Sequence, residues 1–259
     1  MTDTVLFEVI DKVAVITLNR PERHNALDDA TGDLFEELLA RAIDGADSTA
    51  ILLRGAGKSF CSGRDVAVLG HRARDESDFH FVRRHQDVRL RMLDCPKPIV
   101  AAVKGATLGG GAELALVADM RISSSELKLG LPEINYGLLP DTGGTQYLAA
   151  LIGSSRAKYM VLSGDRIDAQ TALAWGAVDF VVAPDALNAA ALDLARKLAG
   201  KPPIALAMGK QMIDQMHMGA IRAGIGQELL AQTALFRTED YAEARAAHRE
   251  GRVPNYKGR

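Results

Sequence analysis

Ile99-Val100-Ala101-Ala102-Val103 is an unbroken apolar run, and Leu108-Gly109-Gly110-Gly111-Ala112-Glu113-Leu114-Ala115-Leu116-Val117 follows it closely. A five-residue apolar run between Pro98 and Gly105 reads as a strand buried on both faces, as in a parallel sheet. The glycines then open an apolar helix whose first backbone N–H groups have no partner within the helix. Glu113 lies just beyond them on that apolar helix. A buried glutamate is costly unless it is paired or used. Glu113 is therefore a candidate functional acid, with Arg121 as its alternative structural partner. Twenty positions on, Glu133 follows Leu131-Pro132 and precedes the apolar turn Ile134 to Pro140. Free N–H groups beside two carboxylates suit a site that stabilises an oxyanion and moves protons next to it.

Working outward, the first half alternates strand and helix. Phe7 to Ile10 and Val13 to Leu18 read as strands joined by a turn at Asp11-Lys12. Asp28 or Asp29 suits a helix N-cap, and Leu34, Leu38, Leu39 and Ile43 form one apolar face. Ala50 to Leu53 is a short buried strand, Ser77 to Leu93 a helix, and Met120 to Ser123 a further strand. The small-residue turn Ser59-Phe60-Cys61-Ser62-Gly63-Arg64-Asp65 leaves the strand over residues 51–54 as the glycine run leaves the strand over 99–103. Ligands of open parallel sheets bind outside the carboxyl ends of the strands. The two loops therefore share one edge, and an N–H from each can grip one carbonyl oxygen. Beyond Gly143 the pattern is helical over 154–162, 168–175, 186–198, 204–218, 221–236 and 238–249, with one strand over 177–182. The fold class is α/β.

Composition excludes several functions. With 47% hydrophobic residues among 259 the chain can bury a sizeable core. A net charge of -2 with mixed signs is no nucleic-acid footprint. Two cysteines, Cys61 and Cys95, make neither a disulfide framework nor a zinc site. The apolar stretch over 98–118 is interrupted by Lys104 and Glu113, so no membrane span is expected. The first residues lack the basic and apolar regions of a signal peptide, and a cytoplasmic location is expected. The glycine run is neither a dinucleotide fingerprint nor a Walker loop, since the third glycine and the Gly-Lys-Ser/Thr are missing.

Six segments in order resemble the crotonase (enoyl-CoA hydratase/isomerase) superfamily: Asn19-Arg20-Pro21 with Asn25-Ala26-Leu27, Phe60 to Asp65, Gly105 to Ala115, Leu131-Pro132-Glu133-Ile134, Gly143-Gly144-Thr145-Gln146 with Leu162-Ser163-Gly164, and the tail Pro254 to Arg259. The resemblance implies a spiral of ββα units over 1–195. It also implies a C-terminal helical oligomerisation region over 196–259 that makes a homotrimer or a dimer of trimers. The implied ligand is an acyl-coenzyme A thioester, with its oxygen between the backbone N–H groups of Arg64 and Gly110. Arg23, His24, Ala26, Ser62, Asp65, Val66, Gly109 and Lys257 would contact the substrate. No metal or redox cofactor is implied, because coenzyme A is part of the substrate, and no nucleic acid or membrane is an expected partner. Hydratase-type members carry glutamates at the positions of Glu113 and Glu133, so the resemblance implies addition of water across the 2,3 double bond of an enoyl-CoA. Asp141 is the departure. Enoyl- and dienoyl-CoA isomerases resemble this chain in having an aspartate there, which keeps a double-bond shift as the alternative. A helix cap near Thr142 is the plain structural role for that residue. The Arg64 side chain is expected to pair with Asp65 or to meet coenzyme A phosphates. His248 and Gly251 depart from the family's tail pattern.

Overall fold

Val5–Ile10 (β1) and Val13–Leu18 (β2) pair antiparallel across Asp11 and Lys12. Both turn residues have positive φ (49° and 64°), the geometry that matches a two-residue turn to the twist of its strands. This is a computed structural model that describes residues 3–65, 70 and 73–259. The main sheet adds Ala50–Gly55 (β3), Ile99–Val103 (β4), Met120–Ser124 (β6) and Phe180–Val182 (β9), in the order β1-β2-β3-β4-β6-β9. All pairs after the first are parallel. Helices Asp29–Asp44 (α1) and Asp78–Leu93 (α2) carry the chain from β2 to β3 and from β3 to β4. Asp28 caps α1, accepting from Thr31 N at 2.9 Å, and Ser77 caps α2.

Every residue of β2 and β4 is buried because helices cover both faces of the sheet. On one face Val13, Val15, Leu52 and Val100 pack against Leu187, Ala191 and Ala195 of helix Leu187–Ala199 (α7). On the other, Ala14, Ile16, Ile51 and Leu53 join the larger core with Phe35, Leu39 and Met92. Truncating a fully buried leucine such as Leu52 to alanine costs about 2–5 kcal/mol.

A second sheet of three short strands, Ala106–Leu108 (β5), Lys128–Gly130 (β7) and Arg166–Asp168 (β8), was not expected. Three residues carry too little periodicity to show as strands. β5 leads into Gly110–Leu116 (α3), and Gly109 N donates to Gly130 O at 3.0 Å, so this sheet fixes where the glycine run sits.

The second half is helical as expected, with three corrections. Gly144–Ile152 (α4) is an additional helix ahead of Ser154–Ser163 (α5) and Ala169–Trp175 (α6). The expected strand over 177–182 shrinks to β9. The two helices expected over 204–218 and 221–236 are one, Pro203–Leu235 (α8), followed by Glu239–Glu250 (α9). Gly219 does not break α8, because one exposed glycine costs a helix only about 1 kcal/mol. The C-terminal half of α8 buries Ile221, Ile225 and Leu229, whereas Ile204, Met208, Met212, Ile213 and Met216 near its start are exposed. Among the described residues, no helix is long and apolar enough to cross a membrane.

Candidate active site

The loops leaving β3 and β4 meet as expected. Leu27 bridges Arg64: Leu27 N donates to Gly63 O at 2.8 Å and Asp65 N to Leu27 O at 2.9 Å. In a parallel bridge of this kind the N–H of Arg64 itself points away from Leu27. On that far side lies the glycine run. Cys61 bridges Thr107, and a Cβ on Gly63 would stand 2.7 Å from Leu108 O and 3.2 Å from Gly110 N. Only glycine allows this approach, at a φ of 88°. The peptide after Gly63 and the first peptide of α3 are thus held side by side, two N–H groups at one edge of a cavity of about 600 Å³. Burial pushes the Cys61 thiol up to about 11, so it serves as packing and as the acceptor of Gly63 N.

Both glutamates flank this edge. Glu133 Oε1 lies 3.0 Å from where a Cβ on Gly109 would sit, and Glu113 Oε2 lies 4.0 Å from the same point on Gly110. Glu113 Oε1 accepts from Thr142 N at 2.9 Å and Gly144 N at 3.0 Å, which satisfies the start of α4. Glu113 is therefore not paired with Arg121, whose guanidinium holds Asp179 and the carbonyls of Ala118 and Ala177. Glu133 Oε2 is buried without a partner among the described residues. Burial first, and then the nearby Glu113, hold its carboxyl well above the usual range.

Asp141 does not cap α4. The cap position is Gly143, and Asp141 Oδ2 instead accepts from Gln232 Nε2 at 3.1 Å. Burial, with Glu113 second, raises Asp141 to about 7. A fourth carboxyl, Glu228 of α8, accepts from Gly143 N at 2.7 Å and from Thr145 N and Oγ1. Burial and Glu113 raise it to about 8. Glu113 and Glu228 together replace the side-chain cap that Gly143 lacks.

The loop before α1 forms the other rim. Asn25, buried at a φ of 56°, accepts from Arg20 N and donates to Ala56 O and Ser59 O. His24 Nδ1 meets Ser59 Oγ at 2.9 Å. The Arg64 side chain pairs with Asp29 at 3.1 Å and lies over the Phe81 ring, whereas Asp65 is held by Arg20. The expected Arg64–Asp65 pair is not formed, because the backbone between them is extended along Leu27 and sends neighbouring side chains to opposite sides.

Of the residues singled out from sequence, Arg23, His24, Ala26, Ser62, Arg64, Asp65, Gly109, Gly110, Glu113, Glu133 and Asp141 all border the cavity. Val66 lies outside the described residues. Lys257 is not brought there. Its N donates to Asp240 Oδ1, and it borders a separate hollow beside α9. Sequence reading missed Arg84, His85, Arg89 and Gln232, which line the cavity, and Glu228 behind it.

The family model described as enoyl-CoA hydratase/isomerase matches residues 8–259. The chain is 38% identical over 249 residues to the 2,3-dehydroadipyl-CoA hydratase of Escherichia coli (strain K12), covering 96% of each. It is 35% identical over 260 residues to the short-chain-enoyl-CoA hydratase of Clostridium acetobutylicum, covering 99% of each. The crystal structure of an enoyl-CoA hydratase from Mycobacterium avium subsp. paratuberculosis K-10 superposes with a TM-score of 0.89 at 26% identity, over 99% of this chain and 100% of that one.

Proposed function

The chain belongs to the enoyl-CoA hydratase/isomerase family, and from that premise we propose that it adds water across the 2,3 double bond of an enoyl-CoA thioester. The observation that carries this reading is that Glu113 and Glu133 abut the same Gly109–Gly110 segment, which borders the cavity. The thioester oxygen accepts from the N–H groups of Arg64 and Gly110, which draws charge from C3 and stabilises the enolate that forms. A water lies between the two carboxyls. Its oxygen bonds to C3 as one of its protons passes to Oε2 of Glu113, whose Oε1 is already occupied by two N–H donors. The electron pair of the double bond moves onto the thioester and returns to C2, which takes a proton from Glu133. Glu133 suits the acid role because burial keeps its proton on. A proton returned from Glu113 to Glu133 through the next water resets the pair.

The relatives above are named for different acyl groups, so acyl specificity has to come from this chain's own pocket. Arg23 and His24 on the outer rim suit the phosphates of coenzyme A. The exposed apolar residues at the start of α8 favour packing against further copies, with a trimer expected in sedimentation analysis.

One observation favours a second reading. Asp141 is a third carboxyl on the cavity, half-buried, pushed up to about 7 by desolvation and not consumed by a helix cap. A third acid can carry a proton between more distant carbons, which is what a double-bond shift in an enoyl- or dienoyl-CoA requires. Incubation with crotonyl-CoA separates the two. Loss of the conjugated enoyl thioester absorbance, with 3-hydroxyacyl-CoA found by mass spectrometry, is the expected result. No loss, alongside turnover of 3-enoyl- or 3,5-dienoyl-CoA, would replace hydration by isomerisation.

A further inference from the structure

One wall of the cavity is built from α2, which presents Phe81, Arg84, His85, Val88 and Arg89 with Arg64 beside them, and Arg89 Nη2 and Glu113 Oε2 each lie 4.0 Å from where a Cβ on Gly110 would sit. An alkyl chain calls for an apolar wall, and this one carries three guanidinium groups. Arg89 is 6% exposed, and its one hydrogen bond among the described residues goes from Nη2 to Gly110 O at 3.2 Å. Its Nε has no acceptor. Arg64 uses Nη1 for Asp29 and leaves Nε and Nη2 shielded from solvent without acceptors among the described residues. That Nε–Nη2 edge is one that meets both oxygens of a carboxylate. Arg84 is occupied differently, with its terminal nitrogens on Glu76, Asp29 and Asp33.

The three groups converge. His85 donates Nδ1–H to Phe81 O at 2.7 Å, and its ring is held neutral by burial first, with Arg84, Arg64 and Arg89 all opposing a proton. Of the site's own acids Glu113 faces Arg89, whereas Glu133, Asp141 and Glu228 are pushed toward their protonated forms and offset the guanidinium charges less. When a ligand fills the cavity and water leaves, each guanidinium N–H without an acceptor counts against binding. A methyl-terminated acyl chain supplies no acceptor. An acyl chain ending in a carboxylate supplies two oxygens and a charge.

We propose that the acyl pocket selects thioesters whose acyl group carries a second carboxylate beyond the reacting carbons, held by Arg89 and Arg64. This rests on the acyl-CoA reading of the same cavity. Calorimetric titration with adipyl-CoA and hexanoyl-CoA, saturated and equal in chain length, tests it without requiring hydration. Adipyl-CoA is expected to bind the wild-type protein at least about tenfold more tightly. Arg89→Met removes most of that preference and Arg89→Lys keeps part of it. Among unsaturated substrates, the preference for trans-2-hexenedioyl-CoA over trans-2-hexenoyl-CoA should appear chiefly in KM and fall in the same variant. Equal binding of the two saturated thioesters by the wild type overturns the proposal. So does a preference that survives both Arg89→Met and Arg64→Met in proteins with wild-type circular dichroism. If neither unsaturated thioester is hydrated while the binding preference holds, the hydratase reading fails and the carboxylate site stands.

Discussion

Glu113 satisfies the start of α4 and is proposed to transfer a proton, and a pair of substitutions separates the two roles. Its Oε1 is the acceptor for Thr142 N and Gly144 N at the start of α4, and both donors are buried. Glu113→Ala leaves two buried N–H groups unsatisfied at about 1–3 kcal/mol each. The expected loss of stability is therefore about 2–6 kcal/mol, before any cavity cost. Glu113→Gln keeps an amide oxygen where Oε1 stood, so α4 stays capped and stability moves by less than about 1 kcal/mol. What the amide loses is proton transfer through the other atom, worth about 10²–10⁴-fold in turnover. Urea denaturation followed by circular dichroism reads the first quantity, and steady-state hydration of crotonyl-CoA reads the second. The expected pattern is a stable but nearly inactive glutamine variant beside a destabilised alanine variant. A glutamine variant within tenfold of wild-type turnover would refute the proton-transfer role. An alanine variant as stable as wild type would refute the capping role.

Three further outcomes follow from the same geometry. Gly63→Ala forces a Cβ to 2.7 Å from Leu108 O at a φ of 88°, and should cost about 1–3 kcal/mol in thermal unfolding while lowering kcat at least about 100-fold through the displaced Arg64 N–H. Asp141 titrates near 7 in the folded chain against 3.8 ordinarily. The folded state therefore holds the extra proton across that window, and stability falls as the pH rises through it. Denaturation midpoints between pH 5 and 8 should decline for the wild type and decline less for Asp141→Asn; parallel curves would show that Asp141 is not the group responsible. Asn25→Ala removes the acceptor of Arg20 N and the donors to Ala56 O and Ser59 O, and is expected to raise KM for the thioester more than it lowers kcat, with a stability loss of about 1–3 kcal/mol.

What was legible in the chain is what leaves a periodic or compositional trace. The parallel strands showed as apolar runs because both their faces are covered, and the glycine run showed because close approach of two loops excludes side chains. The two glutamates stood out as charges inside apolar surroundings. The strands β5, β7 and β8 were too short to repeat a pattern. Asp141 was left between a chemical role and a helix cap, and only the fold shows that Glu113 and Glu228 already fill the cap. Arg89 and Glu228 did leave a signal that went unused. Arg89 falls on the buried stripe of α2 with Phe81, Val88 and Met92, and Glu228 on that of α8 with Ile221, Gly224, Ile225 and Leu229. A charged residue at helical spacing within an apolar stripe is the same anomaly that marked Glu113.

The placement of Glu228 also bears on how the chain divides. The expected boundary near residue 195 would put α8 in a separate oligomerisation region, yet the second half of α8 is part of the site. Glu228 holds the start of α4, Gln232 accepts from Leu139 N and donates to Asp141, and Gln86 of α2 donates to both Asp141 O and Ile225 O. These bonds tie α2, α4 and α8 around one cluster of carboxyls. Four acids in one place, Glu113 and Glu228 buried and Glu133 and Asp141 half-buried, are unfavourable, and the fold tolerates them by giving each a different answer. Glu113 and Glu228 receive backbone N–H groups, Asp141 receives an amide, and Glu133 keeps its proton. The acid with a buried oxygen that has no partner among the described residues, Glu133 Oε2, lies with Glu113 against the glycine run. Three acids are held by donors from α4 or α8, so the one without such a donor is best placed to exchange its proton with a ligand. The second half of α8 is thus tied to the carboxyl cluster, because without it the start of α4 and Asp141 would lose the donors and acceptors that set them apart from Glu133.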